Sequence, residues 1–450
     1  MREITLFEML DAREARALRQ RELLEEFRRP LVSFTLNIPG PVKDSPLIRR
    51  GYAAGLARLD AALDAAGMEV LHREEKLAPT GPELLLAADA DAGALKALCL
   101  AIEDDSPMGR LFDLDVLAPN GEKLERPSPR RCLVCGRPGR DCASRRLHSV
   151  EELQSAVRRI LTDGLTALDA ERVSQLCTRA LIEEVETTPK PGLVDLDNNG
   201  AHRDMCPETF YRSAEALRHY WRDCFLLGAE YRTDAPEDCF SALRLRGQEA
   251  EAAMFAATGG VNAHKGAIFT LGTVCGAIGR LSSPEAPCRD SSRIAAEAAA
   301  LCREAVQADF EAVRLRGAQT AGERLYLKFG LEGIRGELAS GLPGVVKYTL
   351  PAFSADLADG MSRNDAGVLA LLRLMARGTD SNLAARGGPE KAAQVSARAA
   401  ALLPRPSMGA VRDFDQELIE QNLSPGGCAD LLAVSYFLYD WAHDANPIQE

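Results

Sequence analysis

The sequence predicts a multidomain chain, with an N-terminal α+β domain over residues 1–160 followed by an all-α domain over residues 161–450. Three observations predict it. A chain of 450 residues suggests two or three domains, at roughly 150 residues each. Short strand-like segments punctuated by Gly and Pro occur before about residue 120. From about residue 150 the sequence turns rich in Ala, Leu, Arg and Glu, with helical periodicity and almost no alternation.

Each element follows from local signals. Residues 11–28 read as a helix, and Pro30 to Asn37 as a strand that ends at Pro39-Gly40-Pro41. A helix is expected at about 46–66 and another at about 91–103, with strands near 68–71, 83–88 and 111–117. That order makes an α+β domain, and the join to the second half falls inside 150–170. Further helices are expected at 150–186, 208–228, 240–257, 263–280, 291–316, 345–359, 364–377, 389–403, 411–421 and 427–442.

Composition narrows the function. Hydrophobic residues make up 46% and charged residues 27%, which suits a globular enzyme with a real core. A net charge of −12 argues against a nucleic-acid or membrane-surface binder. It leaves room for a small anionic substrate held by a local basic cluster. The charged N-terminus lacks the apolar segment of a secretory signal. The longest apolar run, Gly266 to Gly279, is too short and Gly-rich to span a bilayer. A cytoplasmic protein is therefore expected. Its twelve cysteines should be reduced, and any cluster of them is a metal-site candidate.

The N-terminal half carries three candidate clusters. In the strand Arg110-Leu111-Phe112-Asp113-Leu114-Asp115-Val116-Leu117, alternate side chains share a face. Asp113 and Asp115 therefore project together, with Leu114 and Val116 toward the core. Two close carboxylates repel unless neutralised. Mg²⁺ does this and then bridges to phosphate oxygens, the nucleotidyltransferase-like arrangement. A solvent-facing strand edge would show the same spacing. Lys43, Arg49 and Arg50, set at a tight turn and a helix start, and Arg110 beside the pair, are phosphate-binding candidates. Cys132, Cys135, Cys142 and His148, spaced C-x₂-C-x₆-C-x₅-H, suit a structural Zn²⁺. Free thiols or a redox pair suit that spacing too.

The runs PLVSFTLNIPGPVKDS, GRLFDLDVL and RRCLVCGR…DCASRRLHS, in this order over about residues 1–160, resemble the citrate lyase holo-acyl-carrier-protein synthase family. The resemblance implies transfer of a phosphoribosyl-dephospho-CoA group to a serine of the apo acyl carrier protein (gamma) subunit of citrate lyase, with diphosphate released. It also implies that Asp113 and Asp115 hold the metal. Malonate decarboxylase carriers are matured by the same chemistry.

The helical half carries polar, Gly-rich segments between its helices, where functional residues collect. One runs from Thr188 through Lys190 and Asp195 to Asn199, His202 and Asp204. A second contains Gly259, Gly260, Asn262, His264 and Lys265 and enters an apolar helix, whose free N–H groups suit an anion. The others hold Glu323 and Arg324, then Arg335 and Glu337, then Asp380 and Asn382. Any one alone could be an ordinary capped turn.

Taken together, TPKPGLVDLDNNGAHRDM, TGGVNAHKGAIFTLG, GERLYLKFGLEGIRGE, GTDSNLAARGG and NLSPGGCADLLA resemble the triphosphoribosyl-dephospho-CoA synthase family over about residues 175–440. Ala263 and Cys428 depart from it, standing where Thr and Ser are expected. The resemblance implies that ATP reacts with 3′-dephospho-CoA, losing adenine and joining its triphosphoribosyl group to the 2′-hydroxyl. From residue chemistry, Asp195, Asp204, Glu323, Glu337 and Asp380 are candidates for metal or base work. Lys190, Lys265, Arg324 and Arg335 are candidates for the phosphates, with Asn199, Gly259, Gly260, Asn262 and Asn382 as further nucleotide contacts. His202 and His264 could touch base or ribose. Competing readings are a nucleoside-cleaving hydrolase fused to an unrelated nucleotidyltransferase, and a non-catalytic scaffold for the carrier protein.

Overall fold

The computed structural model describes residues 2–378 and 380–444; Thr379, within one of the polar segments, lies outside the described residues. The chain forms two compact units. The first takes residues up to Leu168 and the short segment Pro284–Ala286; the second takes Asp169–Ser283 and Pro287–Asp444.

The first unit begins with α1 (Leu6–Phe27), whose Thr5 and Glu8 form a reciprocal cap. There follow β1 (Leu31–Leu36), α2 (Pro46–Ala66), β2 (Glu69–Ala78), β3 (Gly81–Asp89), α3 (Ala92–Asp104) and β4 (Phe112–Leu117). A short helix α4 (Gly139–Arg145) precedes α5 (Val150–Glu186), which runs on into the second unit. The four strands make one antiparallel sheet in the order β2-β3-β1-β4. Val32, Phe34, Leu84, Leu86, Leu114 and Val116 pack with α2, α3 and the start of α5. Leu31, Leu85 and Ala87 point the other way, against Leu23 and Leu24 of α1.

Two features of this sheet bear on function. β2 is longer than expected, pairing with β3 from Glu69 to Ala78. Its residues are nearly all exposed, so it shows no buried alternation for a pattern to detect. β4 is an edge strand, whose outward backbone groups need partners. Side chains of α3 supply them: the Leu114 N–H donates to Glu103 at 2.8 Å, and Lys96 donates to the Leu114 carbonyl at 3.3 Å.

The second unit is all helix. After the end of α5 come α6 (Pro207–Ala216), α7 (Arg218–Glu230), α8 (Pro236–Thr258), α9 (Lys265–Leu281), α10 (Ser291–Arg316), α11 (Ala321–Phe329) and α12 (Gly333–Ala339). A π-helical turn, Gly344–Thr349, leads into α13 (Leu350–Ala358), followed by α14 (Arg363–Met375), α15 (Ser381–Leu402), α16 (Met408–Glu420) and α17 (Gly426–His443). The expected helix 208–228 is two helices that meet at Leu217. The segments at 321–329, 333–339 and 381–388, expected as loops, are helical, with a break in α15 at Gly388. α9 and α17 are apolar almost all round and form the centre of the core. Among the described residues, no helix is long and apolar enough to cross a membrane.

Glycines let α7 and α9 cross closely. A Cβ on Gly228 would land on the carbonyl group of Gly276, and one on Gly279 on the carbonyl group of Phe225. Neither backbone can yield without moving a buried helix. Gly228→Ala should therefore destabilise the helical unit by about 1–3 kcal/mol, the usual cost of overpacking, as read by urea unfolding. A midpoint equal to wild type would refute this account of the crossing.

Candidate active sites

In the first unit, Asp113 and Asp115 lie on the face of β4 opposite Leu114 and Val116, in the alternation the sequence predicts. They line a cleft of ≈ 1320 Å³. Asp115 accepts from Lys123 at 2.6 Å, and Arg130 reaches Asp113 at 3.3 Å. Burial, and then the charge of Asp115, push the Asp113 carboxyl up. The two carboxylates share one face of the strand, and their hard oxygen donors fit Mg²⁺.

Behind the pair stands Glu103, which sequence reading missed. It is 1% exposed and accepts from the Leu114 N–H, from Arg126 at 2.8 Å, and from Arg130. A buried carboxylate thus fixes both the strand between the two aspartates and the arginine that touches Asp113. An acid on the buried face of α3, with Leu95, Cys99 and Ile102, was the available signal.

The cleft is basic. Arg131, Arg140 and Arg146 line it and make no ion pair among the described residues. These three arginines flank or lie within the Cys/His segment. There, ligand atoms of Cys132, Cys135, Cys142 and His148 all lie within 4.8 Å of one another. Cys135 Sγ is 3.4 Å from Cys142 Sγ and 3.2 Å from His148 Nε2. Tetrahedral zinc with bonds of about 2.0–2.3 Å needs ligand separations only slightly larger. His148 Nδ1 lies 3.9 Å from Glu152, beyond hydrogen-bonding distance.

Three phosphate candidates in this unit need correction. Lys43, Arg49 and Arg50 do not line the cleft. Lys43 donates to the Ile38 carbonyl, and Arg49 grips Asp44 through two bonds of 2.7 Å. Arg50 is buried and donates to the Pro284 carbonyl. Each serves the local fold. Arg110 does line the cleft, with its guanidinium on the Arg131 carbonyl.

The second unit holds a cavity of ≈ 790 Å³. Three helix starts meet there: Asn262 to Gly266 entering α9, Ser381 and Asn382 opening α15, and Ser424 to Gly427 opening α17. Three positive helix ends facing one cavity make a seat suited to an anion, with the Lys265, Asn382, Leu383 and Cys428 N–H groups already held by Asn262 and Asp380. Lys265, Arg335 and Arg386 stand around it. Elsewhere the wall is apolar and aromatic, with Phe210, Tyr220, Phe240 and Phe269.

Of the predicted residues, the cavity gathers Lys190, His202, Asn262, His264, Lys265, Arg335 and Asn382. Lys190 is 1% exposed, with Nζ 2.5 Å from the Glu184 carboxylate. Burial raises Glu184, and Lys190 opposes that shift. His264 is buried; its Nδ1 lies 2.7 Å from Ser213, while its Nε2 has no hydrogen-bond partner among the described residues. Burial, then the Lys190 charge, hold it down to about 3, so it is neutral near pH 7. His202 bonds Ser424 at 2.9 Å, and burial and Arg386 lower it.

The remaining candidates do not line the cavity. Asp195 accepts from the N–H groups of Lys190, Asp197 and Asn198, pinning its own loop. Asp380 is the N-cap of α15 and also accepts from Cys428 N–H in α17 at 2.8 Å. Glu323 closes the capping box of α11 and pairs with Arg316, which holds it down to about 2. Glu337 takes the Gly344 N–H. Asp204, Asn199 and Arg324 are exposed, and Gly259 and Gly260 form the positive-φ turn that ends α8. These acids hold helix starts and turns. Glu184 and Asp430 line the cavity instead.

Residues 170–447 match the family model described as ATP:dephospho-CoA triphosphoribosyl transferase (CitG), and residues 4–164 that described as apo-citrate lyase phosphoribosyl-dephospho-CoA transferase (CitX). The chain is similar to Protein CitXG of Haemophilus influenzae, 33% identical over 96% of this chain and 96% of that protein. It is also similar to Protein CitXG of Leuconostoc mesenteroides subsp. cremoris, at 30% identity over 97% of each. A probable 2-(5''-triphosphoribosyl)-3'-dephosphocoenzyme-A synthase of Vibrio cholerae is 44% identical over 60% of this chain and 87% of that protein.

Proposed function

Because the chain belongs to the ATP:dephospho-CoA triphosphoribosyl transferase family, and joins to it an apo-citrate lyase phosphoribosyl-dephospho-CoA transferase domain as the full-length CitXG relatives do, we propose that it matures citrate lyase in two steps. The helical domain makes 2′-(5″-triphosphoribosyl)-3′-dephospho-CoA from ATP and 3′-dephospho-CoA, releasing adenine. The N-terminal domain then transfers the phosphoribosyl-dephospho-CoA group to a serine of the apo carrier subunit, the gamma subunit, releasing diphosphate. The observation that carries this reading is the presence of both family matches in one chain. We assign residues 1–160 to the transferase and 161–450 to the synthase, and place the protein in the cytoplasm, where ATP is available and thiols stay reduced.

In the helical domain the three helix starts, with Lys265, Arg335 and Arg386, receive the triphosphate of ATP. The aromatic wall receives the purine. His264 Nε2, buried and without a partner among the described residues, offers the base or its ribose a hydrogen bond. In the N-terminal domain Asp113 and Asp115 hold Mg²⁺, which neutralises charge on the phosphates when bound. Arg131, Arg140 and Arg146 grip the departing diphosphate, and Glu103 keeps Arg130 and β4 in register beneath it.

The Cys/His set holds a structural Zn²⁺ whose task is to order the segment bearing those arginines. Zinc analysis of the purified protein should find about one ion per chain, the stoichiometry of a single four-ligand site. Cys132→Ser should lose it and, with it, most carrier modification, while adenine release continues. A metal-free wild type with full transferase activity would refute the site.

The whole reading is tested by incubating the protein with ATP, 3′-dephospho-CoA, Mg²⁺ and apo carrier protein and measuring the carrier mass. The citrate lyase carrier should gain one phosphoribosyl-dephospho-CoA group. A gain on a malonate decarboxylase carrier alone would move the assignment there. No gain on either would overturn it.

A further inference from the structure

Four carboxylic acids line the helical cavity: Glu184, Glu251, Asp309 and Asp430. Three are tied to cations within it. Glu184 pairs with Lys190, Glu251 with Lys265 at 2.8 Å, and Asp309 with Arg244 at 3.1 Å and Arg335 at 3.7 Å. Asp430 has no ion-pair partner among the described residues. It sits on α17 against the first turn of α9, where it accepts the Ala267 backbone N–H. Gly266 makes that approach possible, since a Cβ there would overlap Asp430 Oδ2. The same cavity holds the unpaired Nε2 of His264, a buried polar atom that awaits a ligand.

Resting on the synthase reading above, we infer that Asp430 is the catalytic carboxylate that takes the proton from the 2′-hydroxyl of dephospho-CoA as that oxygen attacks C1′ of the ATP ribose. The new O–C1′ bond forms as the C1′–N9 bond breaks. The proton passes to Asp430 and then leaves with adenine, which departs as the neutral base and returns Asp430 to its carboxylate. No oxidant, reductant or further reactant is needed. A base for this step must be free of a permanent counter-ion, close to the phosphate seat and set in the cavity wall. Asp430, half-buried in the cavity lining, meets these conditions. Burial pushes its carboxyl well up, with the charges of Glu184 and Asp380 adding to it, which makes it a stronger base than a surface aspartate. The groups facing it are Glu184 and Lys190 at the α5 end of the cavity, Asp380 at the start of α15, and the N-terminus of α9.

The test uses the full chain. With ATP and dephospho-CoA, Asp430→Asn should lower kcat for adenine release by about 10²–10⁴-fold while the KM for ATP stays within a few-fold. Asp430→Glu should retain part of the rate. The wild-type rate should fall as pH drops through the raised pKa of Asp430, and the asparagine variant should lack that acid limb. Gly266→Ala should mimic the loss by displacing the carboxylate. Carrier modification from pre-formed triphosphoribosyl-dephospho-CoA should stay at the wild-type level, and a urea-unfolding midpoint of the helical unit near wild type shows that the variants fold. An Asp430→Asn enzyme with kcat within about threefold of wild type, or with a large KM effect at unchanged kcat, overturns the assignment of Asp430 alone. Absence of dephospho-CoA-dependent adenine release from the wild type overturns the synthase reading and this inference with it.

Discussion

Asp113→Asn is expected to abolish carrier modification, with a loss of about 10²–10⁴-fold or more, while dephospho-CoA-dependent adenine release stays at the wild-type level. The substitution keeps the shape of the side chain and removes one of two charges that share a strand face. Its neighbours would then be unbalanced, because Arg130 stands 3.3 Å from Asp113 and Lys123 2.6 Å from Asp115. Cationic charge would be left with a single carboxylate, and the seat for a divalent ion would be gone. Adenine release should survive because the residues lining the helical cavity all come from the second unit. The two activities are read separately, adenine by chromatography and the carrier by mass. Loss of both in a folded variant would refute the division of labour.

The largest stability effect should come from Lys190→Met. Lys190 and Glu184 are both nearly fully buried, 2.5 Å apart. Removing one partner of such a pair costs about 3–5 kcal/mol, because the other charge is left uncompensated. Glu184 can escape part of that cost by taking up a proton. Its carboxyl is already raised by burial, and loss of Lys190 removes the opposing influence. A carboxyl with a raised folded pKa favours the native state below its unfolded pKa and loses that contribution as pH rises through the folded value. The variant's deficit relative to wild type should therefore be small in mild acid and grow toward neutral and alkaline pH. Urea unfolding at about pH 5 and about pH 8 checks this, and a deficit that does not change with pH would refute it.

Much of the fold was legible because its signals are local. Ser45 and Pro46 announce the start of α2, Gly67 its end, and the helix occupies the expected 46–66. The aspartate pair and the Cys/His cluster were legible for the same reason. One is a two-residue period on a strand, the other four soft ligands within a short segment. The misses share a cause. Asp195, Glu323 and Asp380 are acids in Gly-rich segments, and that composition serves a helix cap as well as a metal site. Which use prevails depends on what the carboxylate meets in three dimensions. Glu184 and Asp430 lie inside helices, within runs such as ALIEEVE and GGCADLLAVSYF. Their place in the cavity wall was masked by regular secondary structure. The informative sign was an acid on a face that is otherwise apolar. β2 was cut short because a strand exposed on both faces carries no hydrophobic rhythm.

One carboxylate, Asp380, binds the Asn382 and Leu383 N–H groups at the start of α15 and the Cys428 N–H at the start of α17. It works as a staple through two of the three helix ends around the anion seat. Those ends cannot drift apart without breaking a buried contact. The seat is therefore a rigid gauge rather than a hand that closes, and its ordering entropy is lost on folding, before any ligand arrives. A rigid gauge reads length. Under the proposed function, the triphosphate would lie along these helix starts, and a shorter chain would reach fewer of them. ADP should then be a poor substitute for ATP in occupying the cavity, and loosening the staple with Asp380→Ala should blunt that preference before it abolishes binding.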